Sequence, residues 1–190
     1  MTIGIGVEGP SDRAFCYKVL ADQFPKIEFD IRSMNNRDKL IRESPRLIDA
    51  FRSAHYTASF IVLDRNSSPC ISSVLSEFDQ QVRSEARKPL DERTVFICIA
   101  IRELEAWYLA DEMAINKILD KSNYTAPMDT GTINAEKELQ RLWMLHYSVA
   151  LNKIDFAKRI ATIFQPDSAV KHSASFSYFW NRISSQIPSP

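Results

Sequence analysis

The stretch "TIGIGVEGPSD", residues 2–12, gives the clearest indication of the fold. Its first six residues form a short, mostly apolar run of β-prone character, and the segment after Asp12 has the apolar spacing of a helix. Gly9 and Pro10 redirect the chain sharply between the two. Glu8 therefore stands where a predicted buried strand ends, although glutamate is a poor turn former and a poor helix cap.

The same alternation of strand and helix continues through the first half of the chain. We predict strands at 2–7, 27–32, 58–63 and 94–101, and helices at 11–23, 37–54 and 71–87. The third and fourth strands are almost continuously apolar, which is typical of strands covered on both faces of a parallel sheet. Successive strand–helix–strand units predict an α/β core with right-handed crossovers.

The second half of the chain is predicted to be helical. The helical patterns are "ELEAWYLADEMAINKILD", "INAEKELQRLWML", "IDFAKRIATIF" and "SFSYFWNRI", with a polar loop predicted at 121–133. We predict an α/β core over residues 1–120 and a helical C-terminal region over residues 121–190. These helices carry many apolar residues, so we expect them to pack on the core as one integrated domain.

Composition limits the classes of protein to which the chain can belong. The hydrophobic share of 45% suffices for a core, yet no apolar run approaches the roughly 20 residues of a membrane helix. Without a secretion signal at the amino terminus, we expect a soluble, cytoplasmic protein with no membrane partner. The three cysteines are odd in number and widely spaced, which favours reduced thiols in or near a core over disulfides.

The charge balance bears on nucleic-acid binding. With 24 basic and 24 acidic residues, the chain has no global positive field to attract a polyanion. A local basic rim remains open, as does the simpler interpretation that these side chains are solvated helix faces: Arg13, Lys18, Arg37, Lys39, Arg42, Arg46 and Arg65.

Three carboxylates share one position relative to the predicted strands. Glu8 ends the first strand, Asp64 ends the third, and Glu103 follows the fourth. The carboxyl ends of parallel strands meet at one sheet edge, where α/β proteins bind ligands. Mg²⁺ or Mn²⁺ would neutralise such a cluster and suits phosphoryl transfer. The alternative, that these acids are turn residues and that Ser11 and Asp12 simply cap a helix, stays open.

The segment "RELEAWYLAD" adds a second acid, Glu105, two residues after Glu103. Acids in the first turn of a helix interact favourably with its dipole, which is a sufficient explanation for one glutamate but less so for two. Trp107 and Tyr108 are most simply core residues rather than a platform for base stacking.

Five segments in this order resemble a known family: "VEGPSD", "RDKLIRESPRLI", "FIVLDRNSSPC", "IAIRELEAWYLAD" and "SASFSYFW". They are similar to a TOPRIM-like family of unknown function that is often encoded beside ATPases of the ABC or overcoming-lysogenization-defect (OLD) type in bacterial defence loci. The resemblance implies a TOPRIM-like core, a Mg²⁺ or Mn²⁺ site for phosphodiester chemistry, a nucleic-acid substrate and an ATPase partner. It implies catalytic roles for Glu8, Asp64 and Glu103, and metal-binding roles for Glu8, Asp64, Asn66 and Glu105.

The chain departs from the family pattern at Asn66, which stands where the second aspartate of an Asp-x-Asp motif is expected. On an extended strand, residues 64 and 66 would face the same side about 6.5 Å apart. Asn66 would then offer a carbonyl oxygen but no charge. The resemblance and this departure from it lead to two candidate functions. The first is a Mg²⁺-dependent nuclease in anti-phage defence, and the alternative is a catalytically degenerate binding or effector subunit that partners an ATPase.

Overall fold

The computed structural model describes residues 1–85, 90–120 and 123–188. The end of the helix predicted at 71–87 and the first two residues of the loop predicted at 121–133 lie outside these ranges. In the described part of the chain, no helix is long and apolar enough to cross a membrane.

A parallel sheet with strand order β2-β1-β3-β4 forms the centre of the described structure. Its strands are β1 (Thr2–Val7), β2 (Glu28–Ser33), β3 (Ala58–Asp64) and β4 (Val95–Ala100). Each lies within one residue of its predicted bounds. In register, Ile3 lies between Phe29 of β2 and Ala58 of β3, and Asp64 lies beside Ala100. The α/β prediction is therefore confirmed, with the carboxyl ends of all four strands at one edge.

The helices alternate with the strands and then continue to the C-terminus. They are α1 (Pro10–Gln23), α2 (Arg37–Ser53), α3 (Ile71–Glu85), α4 (Glu105–Leu109), α5 (Glu112–Ile118), α6 (Ala135–Tyr147), α7 (Lys153–Ala161), α8 (Pro166–Ala169) and α9 (Ala174–Ser185), with a 3₁₀ turn at Thr130–Thr132.

The helical pattern predicted after Glu103 forms two short helices, α4 and α5, because the chain breaks at Asp111. This buried aspartate accepts a hydrogen bond from the Ala114 amide at 3.2 Å and thereby caps α5. Its second oxygen accepts a hydrogen bond from the Gln165 amide at 2.6 Å. The break thus ties α5 to the turn between α7 and α8.

Two apolar cores lie on the two faces of the sheet. On one face, α2 and α3 cover side chains such as Ile61 and Leu63. On the other face, α1, α7 and α9 share a larger core, in which the rings of Phe15 and Phe164 stand 4.9 Å apart. The C-terminal helices therefore bury apolar side chains together with the sheet. The division at residue 120 stays a prediction.

Gly4 explains why so short an apolar run contains glycine. A Cβ atom at Gly4 would lie 2.4 Å from the Phe51 ring, so glycine is what lets α2 approach β1 closely. Cys16 and Cys98 are buried as expected, and no cysteine of the chain is in a disulfide. Cys70 is exposed, so its expected place near a core was wrong.

Candidate metal centre

A cleft of about 580 Å³ opens at the carboxyl ends of the strands. The predicted site residues all line it, namely Glu8, Asp64, Asn66, Glu103 and Glu105. Each reaches the cleft from the end of a strand or from the segment that follows it, because a parallel sheet brings these ends to one edge. Residues remote in sequence are thus brought together as the strand pattern predicts.

Glu8 and Asp64 are joined directly. The backbone amide of Asp64 donates a hydrogen bond of 2.7 Å to Glu8 Oε1, which links the tips of the neighbouring strands β1 and β3. Burial raises the pKa of Glu8 from 4.5 to about 7, and the nearby carboxylate of Asp12 adds to the rise. Burial also raises the pKa of Asp64 well above its ordinary value, and four neighbouring carboxylates, those of Glu8, Asp12, Glu105 and Glu103, raise it further.

Asp12 belongs to the site, although its sequence position suggested only a helix cap. It is the third residue of α1, and its Oδ2 accepts a hydrogen bond of 2.7 Å from the Gly9 amide. The same side chain is buried and lines the cleft, and burial raises its pKa to about 6. Asp12, four residues after Glu8, therefore both caps α1 and lines the cleft.

Lys153 and Glu136 are further cleft residues that the sequence did not indicate. Lys153 is the first residue of α7, and its Nζ lies 3.1 Å from Glu105 Oε1 and 2.6 Å from Glu136 Oε1. Burial alone would lower the pKa of Lys153, but the bonds to Glu136 and Glu105 raise it overall. Glu105, predicted as a metal ligand, is thus already paired with an ammonium group.

Glu103 has no such partner. Its Oε2 atom is buried and makes no hydrogen bond with the described residues. Its pKa is raised by burial and by the charges of Glu105 and Glu136. An uncompensated buried oxygen of this kind is costly unless a cation or a donor is supplied.

The extended geometry assumed for Asn66 was wrong. β3 ends at Asp64, and Asn66 adopts a left-handed conformation with φ 49° while its amide donates to the Arg102 carbonyl at 2.7 Å. Left-handed residues also stand two positions beyond the ends of β2 and β4, at Asn35 (φ 73°) and Arg102 (φ 67°). Strained non-glycine backbone of this kind clusters at functional sites.

The residues of the cleft suit a hydrated Mg²⁺ or Mn²⁺ ion. Among the described residues, seven carboxylates line the cleft against two cationic side chains, Arg37 and Lys153. In the same ranges, no three His, Cys, Asp or Glu side chains stand close enough together to form a ready-made metal cage. Mg²⁺ usually keeps several waters and binds only one or two carboxylates directly, so a wide acidic cleft fits it better than a closed cage would.

The chain matches the family model described as "Domain of unknown function (DUF4276)" over residues 7–184. It belongs to this family. Among solved structures, the DUF4276 protein is similar to the C-terminal region of the Burkholderia pseudomallei OLD protein, with a TM-score of 0.52 and 13% sequence identity. That match covers 97% of this chain and 98% of the other, and it shows that the two share a fold. No match was found among curated proteins.

Replacing Glu8 by Gln is expected to stabilise the metal-free DUF4276 protein by an amount that grows with pH. Below pH 4.5 the Glu8 carboxyl is protonated in both the folded and the unfolded chain, so it carries no penalty. Between pH 4.5 and about 7, the Glu8 carboxyl ionises in the unfolded chain but stays largely protonated in the folded chain. The wild-type protein therefore loses stability as the pH rises through the folded pKa of Glu8. The variant should gain about 3 kcal/mol over the wild type across this interval.

The measurement is urea unfolding of both proteins in EDTA across this pH range. Gln retains an oxygen that can accept the hydrogen bond from the Asp64 amide, so the comparison isolates the charge. Glu28→Gln, an exposed position on β2, is the matched control. A difference between Glu8→Gln and wild type that does not change with pH contradicts the argument.

Proposed function

We propose that this DUF4276 protein is a Mg²⁺- or Mn²⁺-dependent nuclease that hydrolyses phosphodiester bonds. The supporting observation is the convergence of Glu8, Asp64 and Glu103 from the ends of β1, β3 and β4 in one cleft, which Asp12 also enters. Burial raises the pKa of Asp64, and repulsion by the neighbouring carboxylates raises it further, which supports a deficit of positive charge in the cleft. A divalent cation supplies that charge, stabilises the developing charge of phosphoryl transfer and activates water.

The chain's own residues divide into groups that hold the metal and groups that position them. Glu8 and Asp64 are the proposed principal ligands, since the hydrogen bond from the Asp64 amide fixes Glu8 Oε1. Asn66 offers its side-chain oxygen from the rim of the cleft. Glu103, with its unpartnered Oε2, is the proposed proton acceptor for the attacking water.

Glu105 has a different proposed role because it is bound to Lys153. The ammonium group holds Glu105 and Glu136 beside each other and lowers the repulsion at this side of the cleft. Direct metal binding by Glu105 requires that this ion pair open. We therefore propose that Glu105 acts mainly by positioning Lys153 within the site.

The test of the function is cleavage of supercoiled plasmid and of tRNA by the purified protein. We expect cleavage with Mg²⁺ or Mn²⁺, none in EDTA, and none by Glu8→Ala with either metal. Glu28→Ala, a change of the same kind on the exposed side of β2, should cleave as the wild type does. Cleavage that persists in EDTA or in Glu8→Ala contradicts the proposal.

A defence role with an ATPase partner is a further part of the proposal. Its support is the family resemblance together with the similarity to the C-terminal region of an OLD protein, which is one part of a longer chain. Co-purification with an ATPase encoded beside its gene, and loss of phage protection when Asp64 is changed, are the expected results. If neither result is obtained, the defence role is contradicted, while the proposal of a metal site is unaffected.

The alternative of a degenerate binding subunit depended on the missing second aspartate at Asn66. The cleft still holds seven carboxylates, and the buried Asp12 adds a negative charge close to Asp64. This surplus favours the nuclease over the inert subunit.

A further inference from the structure

Two arginines beside the acidic cleft have no anionic partner among the residues that the structure describes. Arg65 directly follows β3, and Arg102 lies two residues beyond β4. The Nε atoms of both are buried and donate no hydrogen bond to any described residue. Within the described ranges neither guanidinium group forms an ion pair. Buried donors in folded proteins are seldom left without an acceptor, so these two require an explanation.

Most other members of the predicted basic rim are neutralised within the protein. Lys18 pairs with Asp22, Arg37 with Glu77, and both Arg42 and Arg46 with Glu43. Arg13 donates through Nε to the Ile31 carbonyl. Four of the other six members of the rim therefore contact a carboxylate, whereas Arg13, Lys39 and Arg65 form no ion pair within the described residues.

Backbone hydrogen bonds hold the two arginines next to each other and next to the cleft. The Arg65 amide donates to the Ala100 carbonyl at 2.9 Å, and the Asn66 amide donates to the Arg102 carbonyl at 2.7 Å. The residues that follow them in the chain, Asn66 and Glu103, both line the cleft. The two arginines thus stand on neighbouring chain segments, at the β3–β4 side of the acidic cleft.

The charge distribution explains what such a pair can bind. The two cations that line the cleft are already occupied, since Arg37 contacts Glu77 and Lys153 contacts Glu105 and Glu136. A polyanionic substrate therefore finds no free positive charge in the cleft itself. Guanidinium groups bind phosphate oxygens through paired hydrogen bonds.

We propose that Arg65 and Arg102 form a phosphate-binding subsite for a part of the substrate that is not cleaved. The inference rests on the proposed nuclease function and narrows its substrate class. The substrate is a nucleic-acid strand in which a neighbouring phosphate binds the two arginines while the cleaved phosphate enters the acidic cleft. A mononucleotide lacks the second phosphodiester and is a poor substrate.

The test is binding of a fluorescent single-stranded oligonucleotide in Ca²⁺, measured by anisotropy over a range of salt concentrations. Arg65→Gln/Arg102→Gln should weaken binding at least tenfold and reduce the slope of log affinity against log salt by about 0.7 per lost phosphate contact. Arg42→Gln/Arg46→Gln removes two equal charges from the exposed side of α2 and should bind within about twofold of the wild type. Thermal unfolding of each variant checks that it is folded.

A conservative pair separates specific contacts from general charge. Arg65→Lys/Arg102→Lys keeps both charges but loses the planar fork, so it should regain the salt slope and only part of the affinity. Loss of affinity by both glutamine pairs alike, or no binding by the wild type, overturns the subsite. Binding by the wild type without any cleavage in Mg²⁺ or Mn²⁺ contradicts the nuclease and leaves the subsite in place. If Arg65→Gln/Arg102→Gln cleaves nucleic acid as the wild type does, the subsite is contradicted and the nuclease proposal stays in place.

Discussion

Asp64→Asn is expected to lower metal-dependent cleavage by at least about 100-fold, since metal-ion catalysis contributes several kcal/mol and each 1.36 kcal/mol is tenfold in rate. Burial raises the pKa of Asp64, and the charges of four cleft carboxylates raise it further, those of Glu8, Asp12, Glu105 and Glu103. The amide replacement keeps the shape of the side chain and removes its charge. Initial rates of plasmid cleavage at fixed Mn²⁺ give the measurement.

The same substitution should make the metal-free protein more stable. Removing one buried charge relieves the repulsion among these carboxylates, and we expect a gain on the order of 1 kcal/mol in the free energy of unfolding. Replacing a catalytic carboxylate that destabilises the metal-free fold raises the free energy of unfolding, whereas replacing a carboxylate with a purely structural role lowers it. Asp22→Asn, an exposed position on α1 that pairs with Lys18, is the matched control and should leave the activity unchanged. Loss of activity accompanied by loss of stability would contradict this account of Asp64.

Trp107→Ala is expected to cost about 3–5 kcal/mol of stability. Trp107 is fully buried in α4, where its ring stacks on Phe179 at 5.0 Å and meets Phe176 edge-on at 5.4 Å. Its Nε1 donates a hydrogen bond of 3.0 Å to Ser175 Oγ. These contacts join the helix that carries Glu105 to α9, so the whole side of the cleft depends on them.

Urea unfolding with an unchanged m-value measures this cost. Trp107→Phe keeps the aromatic packing and loses the hydrogen bond to Ser175, so its cost should be clearly smaller than that of the alanine variant. Tyr17→Ala, at an aromatic residue that is 55% exposed on α1, should change stability by less than about 0.5 kcal/mol. A Trp107→Ala variant as stable as Tyr17→Ala would contradict the packing between α4 and α9.

The strands and the edge at which the acids meet were predictable from local pattern. Continuous apolar runs identified β3 and β4, and a parallel sheet must place Glu8 and Asp64 at the same edge. Trp107 and Tyr108, predicted as core residues, are indeed buried. These features were predictable because the spacing of apolar residues within short segments identifies the strands, and the parallel topology then places their ends at one edge.

The remaining site residues depend on tertiary packing that no short segment records. Lys153 reaches the cleft because α7 packs against α1, and nothing in its own neighbourhood distinguishes it from other lysines. Asn66 was assigned an extended conformation because the expected Asp-x-Asp pattern lies on a strand, but β3 ends at Asp64 and Asn66 is left-handed. Asp12 was recognisable as a cap, and only the fold shows that the same carboxylate also faces the cleft.

The central claim is that the acidic cleft binds a divalent cation through Asp64 and its neighbours. Calorimetric titration of the metal-free protein with Mn²⁺ at neutral pH tests it without reference to any substrate. We predict submillimolar binding by the wild type and by Asp22→Asn, and its loss in Asp64→Ala. Absence of Mn²⁺ binding by the wild type, or equal affinity in Asp64→Ala, would contradict the claim.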